Sequence, residues 1–111
     1  MVPVVKAPRA TAALICLTVM LAWTAGADTE GARVETGALV YQDYCSSCHG
    51  DELKNTSGGV TFDLRRLKRE DHDRFVNSVL NGKRQMPPWR GALADEQIEA
   101  IWAYIRATVD K

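Results

Sequence analysis

The chain has 111 residues, with 14 basic and 14 acidic side chains and a formal net charge of zero. This length suits one domain, and a balanced charge gives no indication of a nucleic-acid partner. An apolar run near the N-terminus divides the chain into a short leader and a longer polar remainder.

Residues 1–27 have the pattern of a secretory signal peptide. Lys6 and Arg9 precede an apolar run over 10–23, and small residues close the segment at Ala27. We predict cleavage after Ala27 and export from the cytoplasm. The alternative is a membrane anchor, but the run is shorter than the ~20 apolar residues that span a bilayer.

Cleavage would leave a single mature domain, residues 28–111. Since the leader contains two basic residues and no acidic ones, the mature net charge becomes −2. A domain of this size buries a limited core and usually needs a covalent or cofactor staple. The mature domain retains two cysteines, Cys45 and Cys48.

A first helix is predicted to begin at Thr36, a suitable N-cap, after a loose polar terminus over 28–35. Val40, Tyr41 and Tyr44 follow at helical spacing, and the helix should continue into Cys45. Gly37 is unexpected here because glycine costs ~1 kcal/mol relative to alanine in a helix. Either another helix approaches closely at Gly37, or the first turn is flexible.

The sequence Cys45-Ser46-Ser47-Cys48-His49 is a C-x-x-C-H motif, the attachment signature of a c-type haem. The two thiols add to the porphyrin vinyl groups, and His49 binds the iron. A redox dithiol would need a strand–helix–strand context that is missing, and a structural zinc site needs four ligands. The mature chain offers only these two cysteines, His49 and the distant His72. We therefore predict one covalently bound haem c.

The haem motif and the leader indicate the same compartment. A free C-x-x-C pair in an oxidising space would tend to form a disulfide, whereas thioether bonds use both thiols permanently. Since c-type haem is attached outside the cytoplasm by dedicated attachment machinery, we expect a periplasmic protein.

Residues 50–60 read as a loop, after which Phe62, Leu64 and Leu67 are candidates to cover the haem edge. A second helix is predicted over 70–80, with acidic residues in its first turn and an apolar stripe formed by Phe75, Val76, Val79 and Leu80. Asn81-Gly82 should end it.

Met86 is the candidate for the second axial ligand of the iron. It is the single methionine of the mature domain, 37 residues after His49, and Pro87 and Pro88 make its loop stiff. The alternatives are a methionine that merely fills the core, ligation by His72, and an open sixth position. A thioether ligand favours ferrous iron, so His49 and Met86 together indicate outer-sphere electron transfer.

A last helix is predicted over 95–107. Ile98, Ile101, Trp102, Ile105 and Val109 repeat at helical spacing. Ala94 occupies the N-cap position, where it is a poor choice.

These residues resemble the class I c-type cytochromes along the whole mature chain. Gly37 and Tyr41 match the family's glycine and aromatic residue, eight and four positions before the first motif cysteine, and Ile101 and Tyr104 match a pair in its last helix. The resemblance implies an all-α cytochrome c fold of three or more helices around one haem. It also implies that the first helix crosses the last at Gly37, with Tyr41 and Tyr104 packed there.

A narrower resemblance involves residues 59–67 and 85–89. Both segments are similar to the small soluble cytochromes that serve periplasmic quinoprotein alcohol dehydrogenases. It implies a reduced dehydrogenase as electron donor and a terminal oxidase or another cytochrome as acceptor.

The favoured hypothesis is a monomeric, diffusible one-electron carrier rather than an enzyme. The exposed haem edge would dock an acidic partner through Lys83, Arg84 and Arg90, unless these residues only aid solubility. The main alternative is a gas-binding or sensor module with an open sixth position. A peroxidase-like enzyme is a weaker alternative, because His72 is the sole polar distal candidate.

Overall fold

The computed structural model describes residues 2–5 and 29–111, so the predicted leader lies outside the described residues apart from 2–5. Four α-helices are present in this part: α1 (Thr29–Tyr44), α2 (Ser46–His49), α3 (His72–Asn81) and α4 (Asp95–Val109). Single 3-10 turns occur at Asp51–Leu53, Leu64–Arg66 and Arg69–Asp71. Within 29–111 the extended pairings are two isolated bridges, Lys83 with Met86 and Arg90 with Leu93. The all-α prediction is confirmed. No helix among the described residues has the length and apolar character needed to cross a membrane.

The start of α1 differs from the prediction. The helix begins at Thr29, so the loose terminus is wrong from Thr29 to Glu35, and the cap at Thr36 is wrong as well. Glu30 lies in the first turn, where the helix dipole favours an acid, and it pairs with Arg33 at 3.7 Å. These residues are exposed, so the added turns rest on local helix-stabilising interactions rather than on burial.

Helix α1 crosses α4 at Gly37, as expected from the family resemblance. A Cβ atom built on Gly37 would lie 1.8 Å from the carbonyl oxygen of Ala100 and 3.0 Å from Cβ of Tyr104. Only a residue without a side chain permits this approach of two backbones. Beside the crossing, the rings of Tyr41 and Tyr104 pack with their centroids 5.3 Å apart.

The apolar stripe of α4 forms the centre of the core. Ile98, Ile101 and Ile105 are at most 1% exposed, whereas Trp102 and Val109 are partly buried at its border. This part of the prediction is confirmed, and the helix extends to Val109 instead of 107.

The weak cap of α4 has a compensation that we did not predict. Ala94 has no side-chain acceptor, but its backbone N–H donates to Oε1 of Gln97 at 2.9 Å. This bond is half of a capping box, and it holds the entry of the chain into the helix.

Helix α3 packs against α4 through Phe75 and Val79, which are 6% and 4% exposed. Its bounds agree with the prediction within two residues. The helix starts later than predicted because the acidic segment that we assigned to its first turn forms the 3-10 turn Arg69–Asp71. Gly82 ends the helix, as predicted, with the positive φ of +75° that suits glycine, but its ψ of 167° is not that of the left-handed helical conformation that we predicted.

Candidate haem site

The C-x-x-C-H motif is a continuation of α1 around a tight corner. The N–H of Cys45 donates to the carbonyl of Tyr41 at 2.8 Å, and the N–H of His49 donates to the carbonyl of Cys45 at 2.9 Å. Cys45 opens the turn that leads into α2 and is partly buried, while Cys48 is exposed. The motif therefore presents two cysteines one helical turn apart, followed directly by an imidazole.

His49 is held in one tautomer by the backbone. Its Nδ1 atom lies 3.0 Å from the carbonyl oxygen of Phe62. Because a carbonyl only accepts hydrogen bonds, Nδ1 carries the proton and Nε2 keeps its lone pair. Burial lowers the pKa of His49, with a smaller opposite effect from the Phe62 carbonyl. A neutral imidazole with a fixed Nδ1–H is the form that binds a metal through Nε2.

The Cys45 thiol is protonated when it is unattached. Burial raises its pKa to about 11, and the neighbouring Cys48 adds to the effect. Cys45 and Cys48 are not joined by a disulfide, and no three His, Cys, Asp or Glu side chains of the described residues come together as a metal-binding group. This arrangement gives no support to the zinc alternative, which requires four ligands at one point.

Met86 lies in a loop that is bonded to itself and to α3. Its N–H donates to the carbonyl of Lys83 at 3.0 Å, and its carbonyl accepts from the N–H of Lys83 at 3.1 Å. Further along, the N–H of Trp89 donates to the carbonyl of Val79 at 2.8 Å. The Met86 side chain is partly buried against the core, as is Cys45.

Gly82 lets this loop fold back on the end of α3. A Cβ atom there would lie 2.6 Å from the carbonyl oxygen of Met86 and 3.0 Å from the nitrogen of Pro88. The glycine thus serves two purposes, since it ends the helix with a positive φ and admits the backbone of the methionine loop. We predicted the first purpose and missed the second.

The residues predicted to cover the haem edge lie partly in the core, and the predicted docking cations lie at the surface. Leu64 and Leu67 are 9% and 5% exposed and belong to the core, whereas Phe62 is 40% exposed and contributes its carbonyl to His49. The three candidate docking cations, Lys83, Arg84 and Arg90, are exposed, and Arg90 donates to Oδ1 of Asn81 at 2.8 Å.

His72, the alternative ligand, has both ring nitrogens beside carboxylates. Its Nε2 lies 2.9 Å from Glu99, and its Nδ1 lies 3.2 Å from Asp73. The ring also meets Trp102 edge-on with the centroids 5.3 Å apart. These contacts give His72 a structural role between α3 and α4.

The donor set fits a c-type haem. Two cysteines on one helical turn would hold the two vinyl groups, and His49 has its Nδ1 anchored, so that Nε2 would be the nitrogen to bind iron. Met86 is a second soft donor on a separate, tied loop.

Comparison with known proteins identifies the family of the chain. The family described as cytochrome c oxidase, cbb3-type, subunit III matches residues 32–105. The chloroplastic cytochrome c6 of Chlamydomonas reinhardtii is 30% identical over 100 residues, which cover 86% of this chain and 68% of that protein. Cytochrome c6 of Nostoc sp. is 31% identical over 77 residues, 67% of this chain and 69% of its own length.

The quinohemoprotein alcohol dehydrogenase ADH-IIG of Pseudomonas putida is also similar. It is 40% identical over 76 residues, and the chain spans 10% of its length. The solved structure of this dehydrogenase has a TM-score of 0.65 with 34% identity, covering 77% of this chain and 12% of that one. The family matches residues 32–105, the larger part of the chain, and therefore includes the haem motif and the α1–α4 crossing. The chain belongs to the class I c-type cytochromes, electron-transfer proteins that bind a c-type haem.

Proposed function

We propose that this protein is a periplasmic one-electron carrier in which His49 and Met86 are the axial iron ligands. The observation that carries the proposal is the hydrogen bond from Nδ1 of His49 to the carbonyl of Phe62 at 3.0 Å. Because its Nδ1 proton is held by the carbonyl, a histidine of this kind stays a neutral, oriented iron ligand in both oxidation states. No proton then needs to move when the electron is transferred.

The haem supplies an iron that alternates between the ferric and ferrous states. The protein keeps the axial ligands fixed, so that little structural rearrangement accompanies each electron transfer. Phe62 orients His49, the mutual bonds between Lys83 and Met86 shape the loop, and the bond from Trp89 to Val79 ties that loop to α3. The thioether favours the reduced iron and so raises the potential.

The leader over 1–27, its removal to give residues 28–111, and the periplasmic location belong to the same proposal. They rest on the sequence pattern of the leader and on the chemistry of haem attachment, which takes place outside the cytoplasm.

We infer that the electron donor is a quinoprotein alcohol dehydrogenase and the acceptor a terminal oxidase. The support is the similarity to a quinohemoprotein alcohol dehydrogenase, together with the residue pattern over 59–67 and 85–89. We further place the docking surface at the exposed cations Lys83, Arg84 and Arg90 beside Met86.

Mixing the ferric holoprotein with an alcohol-reduced quinoprotein dehydrogenase tests the carrier function. We expect rapid appearance of the ferrous spectrum, slowed at low salt by charge reversal at the three docking cations and less so at high salt. A matched variant with reversed charge at the exposed Arg33, Lys54 and Arg66 should react faster than the docking variant. Chemical reduction by ascorbate serves as the control for an intact haem. If ascorbate reduces the protein and the dehydrogenase does not, the dehydrogenase is excluded as the electron donor.

The ligation is tested by Met86→Ala. The parent ferric protein should show the weak long-wavelength band of a methionine–iron bond, and its ferrous form should resist carbon monoxide. In the variant we expect loss of the band, a lower potential and rapid carbon monoxide binding. An unchanged spectrum and potential would mean that Met86 is not the ligand. Rapid carbon monoxide binding by the parent at neutral pH would favour the gas-binding alternative instead.

A further inference from the structure

The last residue of α1 contacts the loop that carries Met86. Tyr44 directly precedes Cys45, the first attachment cysteine, and its side chain is 41% exposed. Its ring meets the ring of Trp89 edge-on, with the centroids 5.5 Å apart and an interplanar angle of 77°. Edge-to-face geometry at this distance is favourable beyond the area that the rings bury.

Trp89 is itself firmly placed. It lies three residues after Met86, its N–H donates to the carbonyl of Val79 at 2.8 Å, and its carbonyl accepts from the N–H of Leu93 at 3.0 Å. The side chain packs partly buried against the core. A contact to Trp89 is therefore a contact to a fixed point of the methionine loop.

The aromatic pair, Tyr44 and Trp89, thus connects two segments: the end of α1, which would carry the haem attachment, and the loop that would supply the sulfur ligand. On one side, Tyr44 is adjacent to a residue that the thioether bond would immobilise. On the other side, Trp89 shares a short loop with the proposed sulfur ligand. A thioether is a weak ligand that dissociates readily, so its retention depends on how well the surrounding loop is held in place.

The geometry points to a positioning role for Tyr44: it holds the methionine loop against the haem-bearing end of α1 and so keeps Met86 on the iron. This inference rests on the proposed ligation by Met86. Tyr44 acts through Trp89 and the loop, without contact to the iron. Loss of the ring would leave both ligands present but would make the sulfur leave the iron more often.

The test compares Tyr44→Ala with Tyr44→Phe in the holoprotein. We expect Tyr44→Ala to accelerate carbon monoxide binding to the ferrous protein roughly two- to ten-fold, the factor that one aromatic pair contributes. When the pH is raised, the ferric long-wavelength band of Tyr44→Ala should also disappear at a lower pH than that of the parent. Tyr44→Phe keeps the ring edge and should behave like the parent.

Leu39→Ala is the matched control. Leu39 is a large apolar residue on the same helix, 70% exposed, and its truncation should change neither readout. Equal carbon monoxide rates for Tyr44→Ala and Leu39→Ala would overturn the inference, as would failure of Tyr44→Phe to preserve the parent behaviour. A second check is Trp89→Ala alone and combined with Tyr44→Ala: additive effects contradict a coupled pair, and non-additive effects support it.

The parent protein separates the two possible failures. If it lacks the methionine–iron band, the ligation proposal has failed. If it has the band and Tyr44→Ala leaves that band and the carbon monoxide rate unchanged, only the positioning role has failed.

Discussion

At the scale of single residues, the site depends on backbone positions as much as on donor atoms. Gly82 and the backbone carbonyl of Phe62 supply no reactive group. Gly82 leaves room for the methionine loop, and the Phe62 carbonyl orients His49. Both effects act through main-chain atoms, which are rigid once the surrounding turns are hydrogen-bonded.

The substitution Gly82→Ala should displace the methionine loop. The new Cβ would lie 2.6 Å from the carbonyl oxygen of Met86, and alanine at φ +75° and ψ 167° is strained by about 1–3 kcal/mol in addition. We expect a lower unfolding free energy and loss of the methionine–iron band, measured by denaturant titration and ferric absorption.

Gly58→Ala is the matched control for that substitution. Gly58 has φ +66°, but a Cβ atom there meets nothing within 4 Å. It should show the strain alone, about 1–2 kcal/mol, with an unaltered spectrum. If both variants lose equal stability and keep the band, Gly82 would not be needed for close approach.

At the scale of elements, two of the contacts between helices differ in how they respond to pH: the α1–α4 crossing at Gly37, and the pair of His72 on α3 with Glu99 on α4. The first is a steric contact and does not depend on pH. The second depends on charge, because His72 and Glu99 lie 2.9 Å apart on the two helices.

The variant Gly37→Ala should force α1 away from α4. Its Cβ would lie 1.8 Å from the carbonyl oxygen of Ala100, which belongs to the backbone and cannot swing aside. We expect a loss of about 3 kcal/mol or more in unfolding free energy, at or above the usual range for overpacking.

Gly31→Ala serves as the control on the same helix. Since nothing lies within 4 Å of a Cβ at Gly31, this substitution should leave the stability unchanged or raise it by up to ~1 kcal/mol. Thermal unfolding followed by circular dichroism distinguishes the two. Similar melting temperatures for both variants would contradict the tight crossing.

The His72–Glu99 pair should make stability depend on pH. The hydrogen bond to Glu99 raises the pKa of His72, with Asp73 as a further cause, above the ordinary value of about 6.5. A raised pKa in the folded state means that the pair stabilises fully below pH ~6.5. The contribution is lost as the pH rises through the folded value.

Unfolding of the parent and of Glu99→Gln between pH 5.5 and 9 tests this dependence. The parent should be more stable by at most about 1 kcal/mol at the acid end, since the His72 side chain is 36% exposed, and the two curves should converge at the alkaline end. Trp102 packs on the same ring and carries no charge that titrates in this range. A gap of constant size across the range would show that the charge of His72 does not contribute.

At the scale of the whole molecule, α4 is the element on which α1 and α3 pack. Helix α1 crosses it at Gly37, the Phe75 ring of α3 packs on Trp102, and Arg106 ties its last turn to the segment before α3 by donating to the carbonyl of Leu67. Arg106 also lies 4.9 Å over the Trp102 ring. A basic residue in the last turn of a helix suits the helix dipole, and Arg106 makes these tertiary contacts in addition.

Replacing Cys45 and Cys48 by alanine should abolish stable folding. The buried core of the described residues is small, with the three isoleucines of α4 at its centre, and a covalently held haem would add apolar contacts to it. We expect no cooperative thermal transition and low helical ellipticity. Ser47→Ala, in the same motif, should fold and bind haem normally. A folded, haem-free double variant would contradict the staple role of the haem.

Much of the architecture follows from local pattern. The ends of α3 and the start of α4 were predicted within two residues, because apolar periodicity and the glycine after α3 are local signals. The start of the first helix was misplaced because Thr36 has the residue type of an N-cap, whereas the observed start at Thr29 depends on weak exposed interactions such as the Glu30–Arg33 pair.

The sequence alone determined that a c-type haem is to be expected, since that chemistry depends on residue identity at a fixed short spacing, and the family of the chain agrees. Attachment through Cys45 and Cys48 and ligation by His49 remain predictions from that spacing. Ligation by Met86 remains a prediction from the same kind of reasoning. Tertiary structure decided the rest: the Phe62 carbonyl on His49, the Tyr44–Trp89 contact and the partner of His72. These are contacts between residues 13 to 45 positions apart, and they have no local signature because any residue has a carbonyl and many pairs of rings or charges are possible until the chain folds.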